Sequence, residues 1–383
     1  MFKLDNLIEK LCPDGVKFEE LKEICMVSIG EFVHKNKQRE DAKYPVFNGG
    51  ISNTGFYDEY NNEGNKILIS ARGANAGFIN KIESRYWAGN SCYSIEVKDK
   101  SSINWLYVYY YLKNNEKNLL GQQQTGSIPA ISKKQIESFK IAVPPLEVQC
   151  EIVHILDDFT LLSAELSAEL KARKNQYNYY LEKLLCNDKN AKIYKLKELC
   201  VFFNGDRGKN YPKVSEMVNK GVPFVNAGDV NRVIDYKNCN KITLEKYNSM
   251  NGAKLRKNDI LYCLRGSTGK NGIYELDEGT VASSLVAIRV NSIINYKYLY
   301  YLLNSSLERR QRYKSDTGAA QPNLSVQSIS NYEFPVPNME EQNKIVNILD
   351  KFEKLCNDIS EGLPAEIEAR QKQYEYYRDK LLT

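Results

Sequence analysis

Two stretches of the chain place an apolar or bulky side chain at every third or fourth position over many turns. Such spacing predicts a long amphipathic helix whose apolar stripe packs against another element. The first stretch follows Pro144-Pro145 and the second follows Pro337-Asn338, and proline is favoured at helix starts. The positions assigned to a helix-pair interface are Ile152, Leu156, Phe159, Leu166, Leu170, Tyr177 and Leu184 in the first stretch, and Ile345, Leu349, Phe352, Ile359, Tyr374 and Leu381 in the second.

Because the two stripes match, we predict that the helices pair with each other as an antiparallel coiled coil. The alternative is that each helix packs separately on its own domain. The segment Gly362-Leu363-Pro364 lies inside the second stretch, and proline in a helix interior removes a backbone hydrogen bond. The continuity of the second helix is therefore an open question.

The sequence also repeats itself. Ile128-Pro129-Ala130-Ile131-Ser132 returns 193 positions later as Gln321-Pro322-Asn323-Leu324-Ser325, and the helix beginning that follows repeats at the same offset. Further on, the segment 172 to 180 returns as 369 to 377, at an offset of 197. A repeat of this length predicts two similar units in one chain, related by a pseudo-two-fold axis. We divide the chain into globular domains at residues 1 to 144 and 187 to 337, and helices at 145 to 186 and 338 to 383.

The globular domains have the pattern of a mixed α/β (α+β) fold. Runs rich in β-branched and apolar residues predict strands at 66 to 71, 93 to 97, 259 to 264 and 280 to 290. Helical periodicity predicts helices at 102 to 115 and 294 to 312. The order of the strands does not follow from these patterns.

Composition narrows the class of protein. With 42% hydrophobic and 26% charged residues, the chain is typical of a soluble globular protein, and its longest apolar run is far too short to span a membrane. Nine cysteines occur without a C-x-x-C pair and only two histidines accompany them, which argues against a zinc site or a disulfide framework and favours a reducing cytoplasm. The net charge of +5 is compatible with nucleic-acid binding but does not require it.

Two loops at strand ends are candidate DNA contacts. One contains Arg72 and Asn75 among glycines, and the other contains Arg265, Ser267 and Lys270. The second loop is similar to a phosphate-binding loop but has the wrong glycine spacing and no Ser or Thr after its lysine. Each arginine could reach a phosphate or a guanine, or could instead be buried against a core carboxylate.

Further candidates for DNA binding lie in flexible polar stretches. They are Lys35, Lys37 and Arg39 after Gly30, Arg207 and Lys209 after Gly205, and Gln122, Ser127 and Gln321 at the junctions before the repeated proline segments. Solvated loops are the alternative interpretation for the basic runs, and helix capping is the alternative for the polar junctions. No methyltransferase motif, S-adenosylmethionine loop or metalloprotease motif occurs, so we expect neither a catalytic centre nor a bound cofactor or metal ion.

The whole chain resembles the specificity subunits of type I restriction–modification enzymes. The resemblance lies in the order of the segments, in Gln149 and Gln342 near the helix starts, and in the ending Tyr-x-Tyr-Tyr-x-x-Lys-Leu-Leu of both helices. The tandem Ser163-Ala164-Glu165-Leu166-Ser167-Ala168-Glu169-Leu170 is similar to the spacer repeat of that family.

This resemblance implies two target-recognition domains that each read half of a bipartite double-stranded DNA target. It further implies that the helices set the gap between the halves and dock two methylation subunits, and that restriction (motor-nuclease) subunits join for cleavage. S-adenosylmethionine, ATP and Mg would then be bound by those partners. Two alternatives stay open: the specificity subunit of a two-subunit enzyme whose partner fuses methylation and cleavage, and a coiled-coil scaffold protein that does not bind DNA.

Overall fold

A computed structural model of the chain describes residues 2–120, 129–186, 191–315, 323–358 and 361–382. The chain forms two compact units. The first comprises Met1–Ser167 together with Glu366–Thr383, and the second comprises Ala168–Ala365. Each unit therefore contains one globular domain together with parts of both predicted helical stretches. The four-part division made from the sequence stays a prediction.

The elements up to the first long helix are α1 (Phe2–Leu11), β1 (Lys17–Glu20), α2 (Leu21–Ile24), β2 (Cys25–Ile29), β3 (Tyr44–Phe47), β4 (Gly55–Tyr57), β5 (Lys66–Ser70), β6 (Ile79–Ile82), β7 (Trp87–Ala88), β8 (Cys92–Val97), α3 (Trp105–Asn114), α4 (Glu116–Leu120), α5 (Lys133–Glu137) and β9 (Lys140–Val143). The first long helix is α6 (Leu146–Cys186), 41 residues without a break.

The following elements are β10 (Lys192–Lys195), α7 (Leu196–Leu199), β11 (Cys200–Asn204), β12 (Met217–Val225), β13 (Val230–Asn231), β14 (Val233–Ile234), β15 (Asn240–Ile242), α8 (Leu244–Ser249), β16 (Ile260–Cys263), β17 (Asn271–Ile273), β18 (Thr280–Val281), β19 (Leu285–Val290), α9 (Tyr296–Leu303), α10 (Ser306–Ser315), α11 (Val326–Ser330), β20 (Glu333–Val336), α12 (Met339–Asn357) and α13 (Leu363–Leu382).

The two units share their main sheets, and the second unit adds the small hairpin β13-β14. A four-stranded antiparallel sheet has the order β2-β8-β5-β6 in the first unit and β11-β19-β16-β17 in the second. A three-stranded sheet, β4-β3-β7 or β15-β12-β18, contains one parallel pair in each unit. Even the register agrees, since Ile67 pairs with Ile95 and Ile260 pairs with Ile288. The mixed α/β fold and its internal repeat are thus confirmed.

A buried glutamine joins each long helix to its domain. Gln149 accepts a hydrogen bond from the Asn104 amide at 2.8 Å and donates to the carbonyls of Ser102 and Pro144. Gln342 makes the same three contacts, with the Asn295 amide and the carbonyls of Ile293 and Pro337. Both side chains are fully buried. Because a buried amide needs all its partners, these residues fix where the helix leaves the domain.

The helical stretches contact each other within each unit. In the first unit Phe159 stacks on Tyr377, with ring centroids 5.5 Å apart, and in the second Tyr180 stacks on Phe352 at 5.4 Å. Early residues of one stretch thus meet late residues of the other, as antiparallel pairing requires. Ile152 and Leu156 also join the core of the first domain, and Ile345 and Leu349 join that of the second. A coiled coil along the full length of both stretches stays a prediction.

Further interface positions are distributed over the two units. Leu166 and Tyr177 are buried, whereas Leu170 and Leu184 are half-buried. Tyr374 and Leu381 pack against the core of the first unit. Ile359 lies outside the described residues.

The sequence left open whether the second stretch, 338 to 383, is continuous. Its described residues form two helices, α12 and α13, rather than one. A Cβ at Gly362 would lie 2.6 Å from the Asp358 carbonyl oxygen, so the backbone packs too closely there for a side chain. Pro364 is the second residue of α13, where its missing N–H has no helical partner to lose.

Two shorter predictions also need correction. The predicted strand 280 to 290 is two strands, β18 and β19, because the Leu285 amide donates to the Ala282 carbonyl and closes a turn. The predicted helix 294 to 312 is two helices, α9 and α10. The buried hydroxyl of Ser305 accepts from the Leu307 amide and begins the second helix.

Candidate nucleic-acid interface

The glycine loops follow equivalent strands in the two units and differ in length by one residue. Gly73 and Gly77 have φ of +90° and +93°, and Gly266 and Gly269 have φ of +74° and +85°. Only glycine adopts this left-handed region without strain. The turns after β5 and β16 thus require these glycines. This requirement explains why the second loop is similar to a phosphate-binding loop, and no bound nucleotide is needed to explain it.

Arg72 and Arg265 occupy the same place in the two units, and both are exposed. Each is held by the strand-like segment of the repeated proline motif. The Ile131 amide donates to the Ala71 carbonyl, and the Leu324 amide donates to the Leu264 carbonyl, both at 2.9 Å. Neither arginine forms an ion pair with a carboxylate in the described part of the chain. The buried-arginine alternative is therefore wrong for these two residues.

A buried arginine–carboxylate pair does exist in the second unit, between other residues. Arg289 makes two 2.7 Å hydrogen bonds to Asp259, whose side chain is 1% exposed. This bond raises the pKa of Arg289. The equivalent positions in the first unit are Lys66 and Glu96, which pair at 2.8 Å with the charges reversed.

The arginine loops differ in one side chain. Arg265 pairs across a backbone bridge with Asn323, and its Nε donates to Asn323 Oδ1 at 3.3 Å. Arg72 pairs across the equivalent bridge with Ala130, which has no polar side chain. Within the described ranges, a side-chain hydrogen bond thus holds the guanidinium of Arg265 but not that of Arg72.

The second unit has an open cleft of about 810 Å³ beside this loop. It is lined by two arginines, four polar side chains and an aromatic pair, among them Arg207, Arg265, Asn251, Asn323, Phe202 and Phe203. Arg207 and Arg265 are 58 positions apart in sequence but share this cleft. Asp206 also lines it, and its Oδ2 accepts from the Gly252 amide at 2.8 Å. Exposed arginines and amides in a concave surface suit contacts with DNA phosphates and base edges.

Gly205 permits the chain to enter this cleft. A Cβ there would lie 2.3 Å from the Val281 carbonyl oxygen, and at the equivalent Gly30 it would lie 2.3 Å from the Ala88 carbonyl oxygen. Both glycines are therefore needed for close backbone approach. The basic stretches that follow them start from equivalent positions.

The remaining basic candidates of the first unit are exposed. Lys35 and Lys37 lie in a short 3₁₀ turn. Arg39 pairs with Asp41 at 3.2 Å and with Asp58 at 2.9 Å, so its charge is already compensated. It is the weakest of the three candidates on this ground.

A smaller crevice of about 270 Å³ is lined in part by the second glycine loop. Lys270 lines it together with Arg232, Arg309 and Arg312, which the sequence analysis did not single out. Arg312 is bound to the buried carboxylate of Glu308 at 2.9 Å, and burial raises the pKa of Glu308. Arg309 pairs with Glu182. The run Glu308-Arg309-Arg310-Gln311-Arg312 was the available signal for this basic region.

The other candidates are placed as follows. Asn75 is half-buried and Ser267 is exposed, each within its glycine loop. The backbone of Lys209 lies in the 3₁₀ turn Gly208–Asn210. Gln122, Ser127 and Gln321 lie outside the described residues.

The described residues contain no group of three His, Cys, Asp or Glu side chains that could hold a metal ion. None of the described helices has the length and apolarity to cross a membrane. All nine cysteines carry free thiols.

Comparison with known proteins gives consistent matches. Residues 13–173 and 188–369 each match the sequence profile of the type I restriction modification DNA specificity domain. The specificity subunit of the type I restriction enzyme EcoR124I/EcoR124II of Escherichia coli is 34% identical over 72% of this chain and 70% of its own. A type I specificity subunit proposed for Haemophilus influenzae is 30% identical over 98% of both chains. In fold, the chain is similar to the crystal structure of the S subunit of a type I restriction–modification system from M. genitalium, with a TM-score of 0.63 and 19% identity over 96% of each chain.

Proposed function

Because the chain belongs to the type I restriction–modification DNA specificity family, we propose that it is the DNA-reading subunit of such an enzyme and recognises a bipartite double-stranded target. Each unit would read one half of the target. The chain would position the methylation and restriction subunits of the enzyme on the DNA.

One observation supports this division of labour above the others. The two units share strand order, register, glycine turns and buried glutamines, yet the side chains beside the exposed Arg72 and Arg265 differ. A common framework with different exposed side chains suits two readers of different sequences, because base contacts depend on side chains while the framework sets their position.

Chemistry is proposed for the partners rather than for this chain. Two methylation subunits would bind S-adenosylmethionine, and the restriction subunits would use ATP and Mg. The site described above offers arginines and amides rather than a nucleophile beside a base, which suits binding better than covalent chemistry. An assembly of this kind works on host DNA, so we place it in the cytoplasm.

The experiment is an exchange of one domain. Residues 187 to 337 are replaced by the matching region of a relative with a known target, and the modified adenines are mapped in a host that carries the complete system. We expect one half of the target to change while the other half and the gap are retained. The reciprocal exchange of residues 1 to 144 is the matched control and should change the opposite half. A change in both halves from one exchange would contradict the proposal.

A second measurement addresses the scaffold alternative. The assembled complex is titrated with target DNA and with unrelated DNA at several salt concentrations. Binding through phosphates weakens steeply with salt, and a specific complex retains a preference for its target. Absence of both effects would favour the scaffold. Purification of the assembled enzyme and identification of its subunits would show whether methylation and cleavage lie on one partner or on two.

A further inference from the structure

We infer that Arg265 reads a guanine in the half-site of the second unit, and that Asn323 positions its guanidinium for this contact. The inference rests on the proposed function and adds a base identity and a specificity-determining pair to it. It starts from a geometric difference between two loops that are otherwise alike.

The backbones around the two arginines are equivalent. In each unit a bridge joins the arginine to the residue before the buried apolar position of the proline motif, and the neighbouring amide-to-carbonyl bond is 2.9 Å long. The side chain at the bridge is alanine in the first unit and asparagine in the second. The unit with Ala130 therefore serves as a natural reference for the unit with Asn323.

Asn323 restricts which atoms of Arg265 can bind a partner. Its Oδ1 accepts from Nε at 3.3 Å, whereas the terminal Nη1 and Nη2 make no hydrogen bond to any described residue. The free end of the guanidinium is a fork of two parallel N–H donors. This fork matches O6 and N7 of guanine in the major groove, the commonest specific arginine contact with DNA.

The residues that line the cleft favour a contact with a base edge rather than with a phosphate group. Arg265 lies among amide side chains and Phe202 and Phe203, and the cleft also contains the carboxylate of Asp206. A carboxylate repels a phosphate group, whereas amide side chains can hydrogen-bond to base edges. Holding the long arginine side chain before binding also reduces the rotamer entropy lost in the complex.

The test uses the full complex and begins by mapping its target from the methylated positions. Binding is then measured for the target and for every single-base change in the second unit's half-site. Arg265→Ala should reduce discrimination at one guanine by roughly 5- to 150-fold, the range of a bidentate base contact. Arg265→Lys should reduce it nearly as much, because the charge remains but the fork is lost. Discrimination at all other positions should be unchanged.

Asn323→Ala should reduce discrimination at the same guanine by about 2- to 10-fold, the range for one hydrogen bond that orders a side chain. Asn323→Asp keeps the acceptor oxygen and should restore the ratio, although its charge lowers affinity for all sequences. Arg72→Ala is the matched control and should leave the second half-site unaffected. Both substituted residues are exposed, so the variants should fold, and thermal melting checks this.

Two results would contradict parts of the inference, and a third would contradict the proposed function instead. If Arg265→Ala weakens binding to all sequences equally and lowers the salt dependence by about one ion, Arg265 binds a phosphate and the inference is wrong. If Arg265→Ala removes discrimination but Asn323→Ala does not, the positioning role is wrong. A wild-type complex without sequence preference would instead overturn the proposed function.

Discussion

The buried pair Asp259–Arg289 allows a quantitative prediction. Asp259→Ala removes a carboxylate that makes two 2.7 Å bonds to Arg289 and leaves that guanidinium partly buried without a counter-charge. Breaking a buried pair in this way typically costs 3–5 kcal/mol. Arg289 is 25% exposed and retains the Lys254 carbonyl and the face of Phe203, so we expect about 3 kcal/mol, the low end of that range.

The equivalent pair of the first unit supplies the comparison. Lys66 and Glu96 lie at the same register positions of β5 and β8, but only one ammonium-to-carboxylate contact joins them. Glu96 is 36% exposed, and Lys66 also has a hydrogen bond to Asn62. We therefore expect a coupling energy below about 1 kcal/mol for this pair, as for other solvent-accessible ion pairs.

A double-mutant cycle in each unit measures the two coupling energies. Single and double alanine substitutions are compared by native-state hydrogen exchange, read by mass spectrometry on peptides from β5 and β8 or from β16 and β19. Local readout is needed because a chain with two units need not unfold in one step. We expect a coupling of about 2–3 kcal/mol for Asp259–Arg289. Equal coupling in the two units would refute the argument from burial and bidentate geometry.

Three further predictions follow from other features. Gln342→Leu should destabilise the second unit by about 3 kcal/mol, because it leaves three backbone groups without hydrogen-bond partners. The rate of hydrogen exchange should therefore rise in α9 and stay unchanged in the first unit. Insertion of a third Ser-Ala-Glu-Leu after Leu170 adds about 6 Å of helix and should lengthen the unread gap by roughly one base pair, with both half-sites retained. Insertion of two residues instead rotates the helix face by about 200° and should abolish assembly. Methylation mapping of both variants tests this, and an unchanged gap after the four-residue insertion would contradict the prediction. Iodoacetamide at pH 8 should label Cys150 well before Cys25, because Cys150 is exposed while burial raises the pKa of the Cys25 thiol to about 12. Peptide mass spectra measure the labelling, and equal rates at the two cysteines would disprove this prediction.

Many of the strands and helices could be predicted because each half of the repeat supports the assignment made in the other half. A pattern that occurs twice, with proline, glutamine and apolar positions in the same order, specifies the same local structure twice. The strands at 66 to 71 and 259 to 264 were identified from their apolar runs, and they occupy equivalent places in the two units. The break at Ser305 was not predicted, and the one at Gly362 was left open, because each depends on contacts with neighbouring turns that leave the apolar periodicity intact.

The candidate interface was less predictable for a related reason. Basic residues in loops can be identified from sequence, but their partners lie far along the chain. Arg207 and Arg265 share a cleft because β11 and β16 belong to one sheet, and Arg39 pairs with the distant Asp58 as well as with its sequence neighbour Asp41. Strand order was not accessible from the sequence, so neither relation could be inferred.

The reversed charge pair bears on how a chain with two similar units folds correctly. Repeats with the same strand order and register can exchange strands during folding, and such misassembly is a characteristic failure of repeat proteins. If β5 paired with β19, Lys66 would lie beside Arg289, and if β16 paired with β8, Asp259 would lie beside Glu96. Both exchanges place like charges opposite each other at a partly buried site, which is destabilising. The reversed pairs therefore favour each unit's own strands over those of its twin.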